Sequence, residues 1–332
     1  MQTDFSSYTK ALQWSLQAEL KTSDALAGNF SCVEDTQGLE KWMQEQGVRA
    51  VIAGDADYPY ALQAGDATTK IVYGIGDWWC LEMPRLSIVG PRKPSLYATQ
   101  VLDCLFTQIE SRRLCIVSWG APWIDQQAHR GAIAHGLPTI VVLWCGLYVA
   151  MKSTLRELLQ RVVAWGGLVL SAWKLKQTPT NFTFPQRNKL IAGLGEILFV
   201  PAAGQKSWSL ITVDFAHKMH KHMYTVPASI FEQESAGTNE LLVQKKAHAV
   251  TSFEHMLDAH FPRLDMTPTE VQENLTDAQQ TICTYLALIR VASTQELLNA
   301  CACSLSEILE ALVELEMKRL VIQKGPDAWS LV

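Results

Sequence analysis

Short apolar runs alternate with longer stretches of helical spacing through the middle of the chain. The runs are 86–90 (LSIVG), 114–118 (LCIVS), 139–144 (TIVVLW), 167–171 (GLVLS), 196–200 (EILFV), 223–228 (MYTVPA) and 247–251 (AHAVT). Helical periodicity fills the intervals, most clearly at 97–109, 125–134, 154–163 and 210–221. Runs of four to six β-branched-rich residues, each separated by one helix, are the pattern of βαβ units around a parallel sheet buried on both faces. The pattern predicts an α/β domain over 84–260 with a doubly wound, Rossmann-like parallel sheet.

The flanks differ. A linker at 261–275 is followed by helical patterns at 277–289, 294–300 and 304–318, then by two short strands within 320–332 that meet at Gly325-Pro326-Asp327. Three helices and a terminal hairpin predict a winged-helix domain over 276–332. Ser304 with Glu307 three residues on is a capping-box pair for its third helix. That helix carries Glu307, Glu310, Glu314 and Glu316, carboxylates that repel phosphate and point to a protein-contact or regulatory role. Residues 1–83 predict a small helical region (8–26 and 38–46) leading through RAVIAGDADYPYAL into a short strand, KIVYGIGD at 70–77.

At 332 residues with 48% apolar and 18% charged side chains, the chain has enough apolar surface for two or three real cores. The first twenty residues contain Asp4 and Lys10 and lack an apolar core segment, so no secretory leader is expected. Residues 131–151 lack Asp, Glu, Lys and Arg, yet Gly131, Gly136, Pro138 and Gly146 interrupt them, and a buried strand suits them better than a membrane span. The eight cysteines (32, 80, 104, 115, 145, 283, 301, 303) show no C-x-x-C spacing and are expected to be reduced core thiols of a cytoplasmic protein.

Charge is divided along the chain. Residues 1–83 hold five Lys/Arg against twelve Asp/Glu, residues 84–261 eighteen against eleven, and residues 262–332 five against ten. A basic middle between acidic ends keeps a polyanionic partner open despite the overall −5. In a doubly wound sheet, ligands sit at the carboxyl ends of the strands, where helix N-termini present N–H groups to anions. Four segments fall there: Gly90–Ser95, Ser118–Ala121, Phe184–Lys189 and Ala203–Ser209. They supply Arg92, Lys93, Arg187, Lys189 and Lys206 together with the hydroxyls of Ser118, Ser207 and Ser209. Cations, hydroxyls and helix N-termini along one edge make a phosphate-binding rim.

Other chemistry is weaker. Gly90 is followed by Pro91-Arg92, and Gly74-Ile75-Gly76 lacks a third glycine, so neither is a dinucleotide fingerprint. Asp125 and His129 are an acid and a base four residues apart on one helix face, and a structural role is expected for both. His217, His220 and His222 have spacings that do not share one helical face, so no metal or other cofactor is expected.

Five segments resemble one family: SIVGPRKPS (87–95), IDQQAHRGAI (124–133), FPQRNKLIAGL (184–194), SLIT (209–212) and VPASIF (226–231). Together with DYPYAL (57–62) and the acidic C-terminal section, they are similar, in order over roughly 50–332, to the DprA/Smf family of DNA-processing proteins of natural transformation. The resemblance implies a homodimeric, non-enzymatic protein that binds single-stranded DNA, protects incoming strands and loads the RecA recombinase. It matches Arg92 to the arginine of the family's G-S-R turn, Arg187, Asn188 and Lys189 to its F-P-x-R-N-R segment, and Lys206 to the basic residue before S-G-S.

The departures from that family concern the same loops. Where it has S-G-x-A-x-G-I-D, this chain has Ser118-Trp119-Gly120-Ala121-Pro122-Trp123-Ile124-Asp125; the S-G-S glycine is Trp208, and G-x-D-x-x-Y-P becomes Gly146-Leu147-Tyr148-Val149-Ala150-Met151-Lys152. Trp119, Trp123 and Trp208 are therefore candidates either for base stacking or for packing that fills the site. The candidate DNA-binding set is Arg92, Lys93, Ser118, Arg187, Asn188, Lys189, Lys206 and Ser209. Two alternatives stay open: a nucleotide-binding or nucleotide-hydrolysing Rossmann-like enzyme, and a regulatory protein that kept the fold and lost DNA binding.

Overall fold

The structure, a computed structural model, describes residues 36–54, 58–63, 71–109, 112–180, 183–261, 275–289, 292–301, 303–317, 320–325 and 328–331. The helical pattern at 8–26, most of the linker and the Pro326-Asp327 turn lie outside these residues. Contacts divide the chain into two compact units, 2–264 and 265–332.

In the larger unit the described strands form one nine-stranded sheet. They are β1 (Arg49–Ile52), β2 (Ile71–Gly76), β3 (Arg85–Ile88), β4 (Cys115–Trp119), β5 (Thr139–Val142), β6 (Leu168–Ser171), β7 (Ile197–Val200), β8 (His222–Thr225) and β9 (His248–Ala249), in the order β1-β2-β6-β5-β4-β3-β7-β8-β9. From β6 to β9 every pairing is parallel. All seven apolar runs of the sequence became strands of this sheet, although the last contributes only two residues.

The expected parallel core is therefore present, and the sheet extends beyond it. β2 pairs antiparallel with β6, and β1 antiparallel with β2, so residues assigned to a separate 1–83 region belong to the central sheet. The reason lies in the side chains: Ile71, Val72, Tyr73 and Ile75 are buried. Gly74 and Gly76 serve this pairing. A Cβ at Gly74 would lie 2.6 Å from the Trp78 ring, and Gly76 has φ +112° with the Gly167 carbonyl 2.1 Å from where a Cβ would be.

Strand alternation divides the core between two faces. Val117, Leu198 and Val200 pack with Leu190 and Ile191 of α7 (Thr183–Leu194) and with Val213 and Ala216 of α8 (Ser209–Lys218). Ile116, Ile197 and Phe199 face the other way, onto α3 (Leu96–Ile109), α4 (Ile124–Ala134) and α10 (Phe253–His260). Toward the antiparallel edge, α1 (Thr36–Glu45) and α6 (Arg156–Ala164) cover a further cluster through Leu39, Met43, Leu159 and Val162. Burying each such side chain contributes about 1.5–3 kcal/mol, so the two-sided sheet is the stable frame on which the loops are set. The remaining α-helices among the described residues of this unit are α2 (Tyr60–Gln63), α5 (Leu147–Ala150) and α9 (Ala236–Val243).

The uncharged stretch 131–151 divides into the end of α4, strand β5 and α5, and among the described residues no helix is long and apolar enough to cross a membrane. The cysteine expectation needs correction. Cys80, Cys115, Cys145 and Cys301 are buried, but Cys104 is exposed and Cys283 and Cys303 are half-buried, because they fall on the outer sides of helices or in a loop. Cys32 lies outside the described residues.

The smaller unit contains α11 (Asp277–Ile289), α12 (Thr294–Ala300), α13 (Leu305–Met317) and an antiparallel hairpin of β10 (Val321–Gly325) with β11 (Ala328–Leu331). Ile282, Leu286, Leu297, Ile308, Leu312 and Trp329 form its core. The Ser304–Glu307 capping pair is present: Glu307 Oε2 accepts from the Ser304 amide and hydroxyl, each at 2.7 Å. A second box, Ser293 with Glu296, starts α12. Glu310, Glu314 and Glu316 are exposed on α13, beside the exposed Leu305, Leu309 and Val313.

Candidate nucleic-acid interface

The loops after β3 and β7, the end of β4 and the middle of α7 meet around a cavity of about 400 Å³. Its wall includes Gly90, Arg92 and Lys93 from the β3 loop, Trp119 from the end of β4, Arg187 and Asn188 from α7, and Lys206, Trp208 and Ser209 at the start of α8. Chain topology explains the convergence: β4, β3 and β7 are adjacent parallel strands, so their carboxyl ends open on one edge. Gly90 is required by close approach, since a Cβ there would lie 2.4 Å from Ile124, the first residue of α4.

The lip and the floor of this cavity differ. Arg92, Lys93 and Lys206 are exposed at the lip, and Trp208 there is 62% exposed. The floor is built from Arg187, Asn188, Trp119 and Asp125, all buried. Arg187 Nε and Nη2 donate to Asn188 Oδ1 at 3.0 and 2.5 Å, and its guanidinium lies 3.6 Å from the centroid of the Trp119 ring. Arg92 is near the same ring at 5.1 Å. Two guanidiniums thus share one indole, whose negative π-face stabilises the buried charge of Arg187. Trp144 meets Trp119 edge-on at 4.7 Å.

Burial sets the protonation chemistry of the floor. It pushes the Asp125 carboxyl up to about 7, while Arg187, the Ser118 hydroxyl, the Gly90 amide and Arg92 pull the other way. The same burial brings Arg187 down to about 9, with Asp125 opposing and Arg92 adding to the fall. At neutral pH the floor therefore holds a charged guanidinium beside a carboxyl poised between its two forms.

Three sequence candidates do not line the cavity. Ser118 is fully buried, its Oγ 2.6 Å from the Ile88 carbonyl and 3.1 Å from Asp125 Oδ1, so its hydroxyl holds the loop from within. Lys189 is half-buried on α7, two residues beyond Arg187, and the helical turn carries it away from the cavity wall. Trp123 is 59% exposed outside the cavity, at φ 80° and ψ −120°. Two others keep their place in an altered role. Trp119 is 7% exposed and packs against arginines and Trp144, so no open ring face is left for a base. Ser209 lines the wall while its Oγ donates to the Gly90 carbonyl at 2.7 Å, pinning α8 to the β3 loop.

Asp125 and His129 do not act on one another. Asp125 faces the cavity, whereas His129 is buried with Nε2 3.0 Å from the Trp119 carbonyl and Nδ1 2.7 Å from the Thr139 hydroxyl. Burial pushes the His129 ring down to about 4, which keeps it neutral, with Nε2 facing the Trp119 carbonyl as a donor. His222 stands with the rings of His248 and His260, 5.9 and 5.1 Å away, at the β8–β9 edge. Gln233 and Glu234 reach the wall from the segment after β8, and neither they nor the Trp119–Arg187 stack follows from the pattern of cations in the sequence. The one sequence sign of that stack was a tryptophan in a glycine position next to a basic loop.

A doubly wound α/β sheet with a basic, helix-flanked cavity at its carboxyl edge defines the class by fold: Rossmann-like. The family profile described as DNA recombination-mediator protein A matches residues 49–260. Curated relatives include the DNA processing protein DprA of Streptococcus pneumoniae, 33% identical over 61% of this chain and 71% of that protein, and DprA of Bacillus subtilis, 30% identical over 68% and 76%. Among solved structures, DprA of S. pneumoniae aligns with a TM-score of 0.59 at 28% identity, over 77% of this chain and 92% of that one. Helicobacter pylori DprA, described for its single-stranded DNA binding mode, aligns with a TM-score of 0.56 at 27% identity, over 64% and 94%. The chain belongs to the DNA recombination-mediator protein A (DprA/Smf) family.

Proposed function

We propose that this protein binds single-stranded DNA in the cavity and acts as a non-enzymatic DNA-processing protein of natural transformation. The observation that carries the proposal is the convergence of Arg92, Lys93, Lys206 and Arg187 on one opening at the sheet edge. Exposed cations on separate loops grip backbone phosphate without reading base edges, which suits an unpaired strand. Single-stranded DNA binding by the H. pylori relative supports the same assignment. Trp208, exposed at the lip, offers a flat face for one base, a contact worth about 1–3 kcal/mol. Asp125 and His129, turned to different partners, do not form the acid–base couple a hydrolase would need, which favours binding over turnover. Loading of RecA and homodimerisation, both implied by the family, complete the proposal, as does a cytoplasmic location.

The test is a titration of labelled oligo-dT and of duplex DNA at two salt concentrations. Binding of the single strand that weakens with salt, and weakens further in the Arg92→Ala, Lys206→Ala double variant, is expected. Equal affinity of parent and double variant for oligo-dT overturns the assignment. A monomeric mass by light scattering at micromolar concentration overturns the homodimer.

A further inference from the structure

The carboxyl edge of the sheet continues past the cavity, and the loops there carry a second basic group. Residues 143–154 and 172–180, which follow β5 and β6, contain Lys152, Lys174 and Lys176 and no Asp or Glu. Tyr148, half-buried in α5, organises two of the three. Lys152 Nζ donates to Tyr148 Oη at 2.5 Å and lies 4.1 Å from the ring centroid, and Lys176 Nζ lies 5.9 Å from the same centroid. Trp42 holds the ring edge-on at 5.1 Å, fixing its orientation. Both ammonium groups are exposed, and among the described residues neither has a carboxylate partner.

Two like charges on one phenol ring repel each other, and a π-face attracts them only weakly at an exposed site, by about 0.5–1 kcal/mol each. An anion placed between them replaces that repulsion with two charge-assisted contacts. The position suits a chain already seated in the cavity. β4, β5 and β6 are neighbouring parallel strands, so the loops that carry Tyr148 and Lys152 (after β5) and Lys176 (after β6) open on the same carboxyl edge as Trp119, one and two strand spacings along it, about 5 and 10 Å. Trp144, packed on Trp119, comes from the same loop that leads into Tyr148.

We propose that Lys152 and Lys176, set on Tyr148, form a second phosphate subsite for a single strand leaving the cavity. It rests on the cavity being the first. The experiment compares the parent with the Lys152→Ala, Lys176→Ala double variant on oligo-dT of about four nucleotides and of about sixteen, each at several salt concentrations. On the longer strand the variant is expected to lose affinity about 10-fold, with the salt slope shallower by about 1.4, the value for two single-strand phosphate contacts. On the shorter strand, which the cavity alone accommodates, parent and variant are expected to agree. A parent that binds both strands while the variant matches it on both overturns the subsite alone, as does an equal loss on both lengths. A parent that binds neither strand overturns the cavity assignment and the subsite with it.

Discussion

The lip and the floor of the cavity use the same kinds of residue under opposite physical conditions. At the lip, Arg92, Lys93 and Lys206 stand in water, where each contact with an incoming phosphate is screened by salt and little of the fold depends on it. On the floor, Arg187 and Asp125 are almost fully withdrawn from water, and Trp119, Asn188 and Ser118 offset part of the cost of their charged forms. The difference teaches that a basic residue in a binding loop does not carry one fixed role. Burial makes Arg187 part of the architecture, and exposure makes Arg92 part of the encounter.

The largest expected effect lies on the floor. Arg187→Ala removes the guanidinium that offsets the buried Asp125 carboxylate, and unfolding by urea should show a loss of about 3 kcal/mol at pH 8. At pH 5 the loss should be smaller, because Asp125 then takes a proton. An unchanged midpoint at pH 8 would erase the distinction between floor and lip.

Asp125→Asn is expected to change the pH dependence of stability. An acid held at about 7 when folded and near 4 when unfolded binds its proton more tightly in the folded chain. Its contribution is therefore fully present below about pH 4, declines as pH rises to about 7, and is flat above. Relative to the parent, the variant should gain about 4 kcal/mol between pH 4 and pH 8. Parallel stability curves for the two proteins would show that the carboxyl titrates normally.

At the lip, Arg92→Ala with Lys206→Ala should weaken binding of single-stranded DNA about 10-fold and flatten its salt slope by about 1.4, with an unaltered unfolding midpoint. A drop in the midpoint comparable to that of Arg187→Ala would mean that the lip is as structural as the floor. The smallest effect concerns Trp123, whose φ of 80° is costly for a residue with a Cβ. Because its side chain is largely exposed, Trp123→Gly should raise stability by about 1 kcal/mol, read as an increase in Tm. A decrease would show that the indole packs in solution against something it needs.

Much of this was legible in the residues themselves. The runs 114–117 and 197–200 are apolar at every position because both faces are covered, so their burial could be read before their neighbours were known. The capping pair at Ser304 and Glu307 is a local device, complete within four residues. The contribution of Arg49–Ile52 and Ile71–Gly76 to the sheet was not visible, because antiparallel pairing to β6 joins residues about a hundred positions apart. Nor were the roles of Ser118, Lys189 and Trp119, since whether a loop side chain turns into the core or out to the rim depends on a partner supplied by another loop.

From its order of apolar and polar residues alone, the chain determines a two-sided sheet and places basic loops at the ends of its strands. Periodicity and burial act locally along the chain, and the covering helices follow from them. Which of those basic residues face water, and which are stacked on an indole and held beside a buried carboxyl, only the tertiary structure decided. Desolvation is a property of the surroundings, and here the surroundings of Arg187 are assembled from β4, α4 and α7 together.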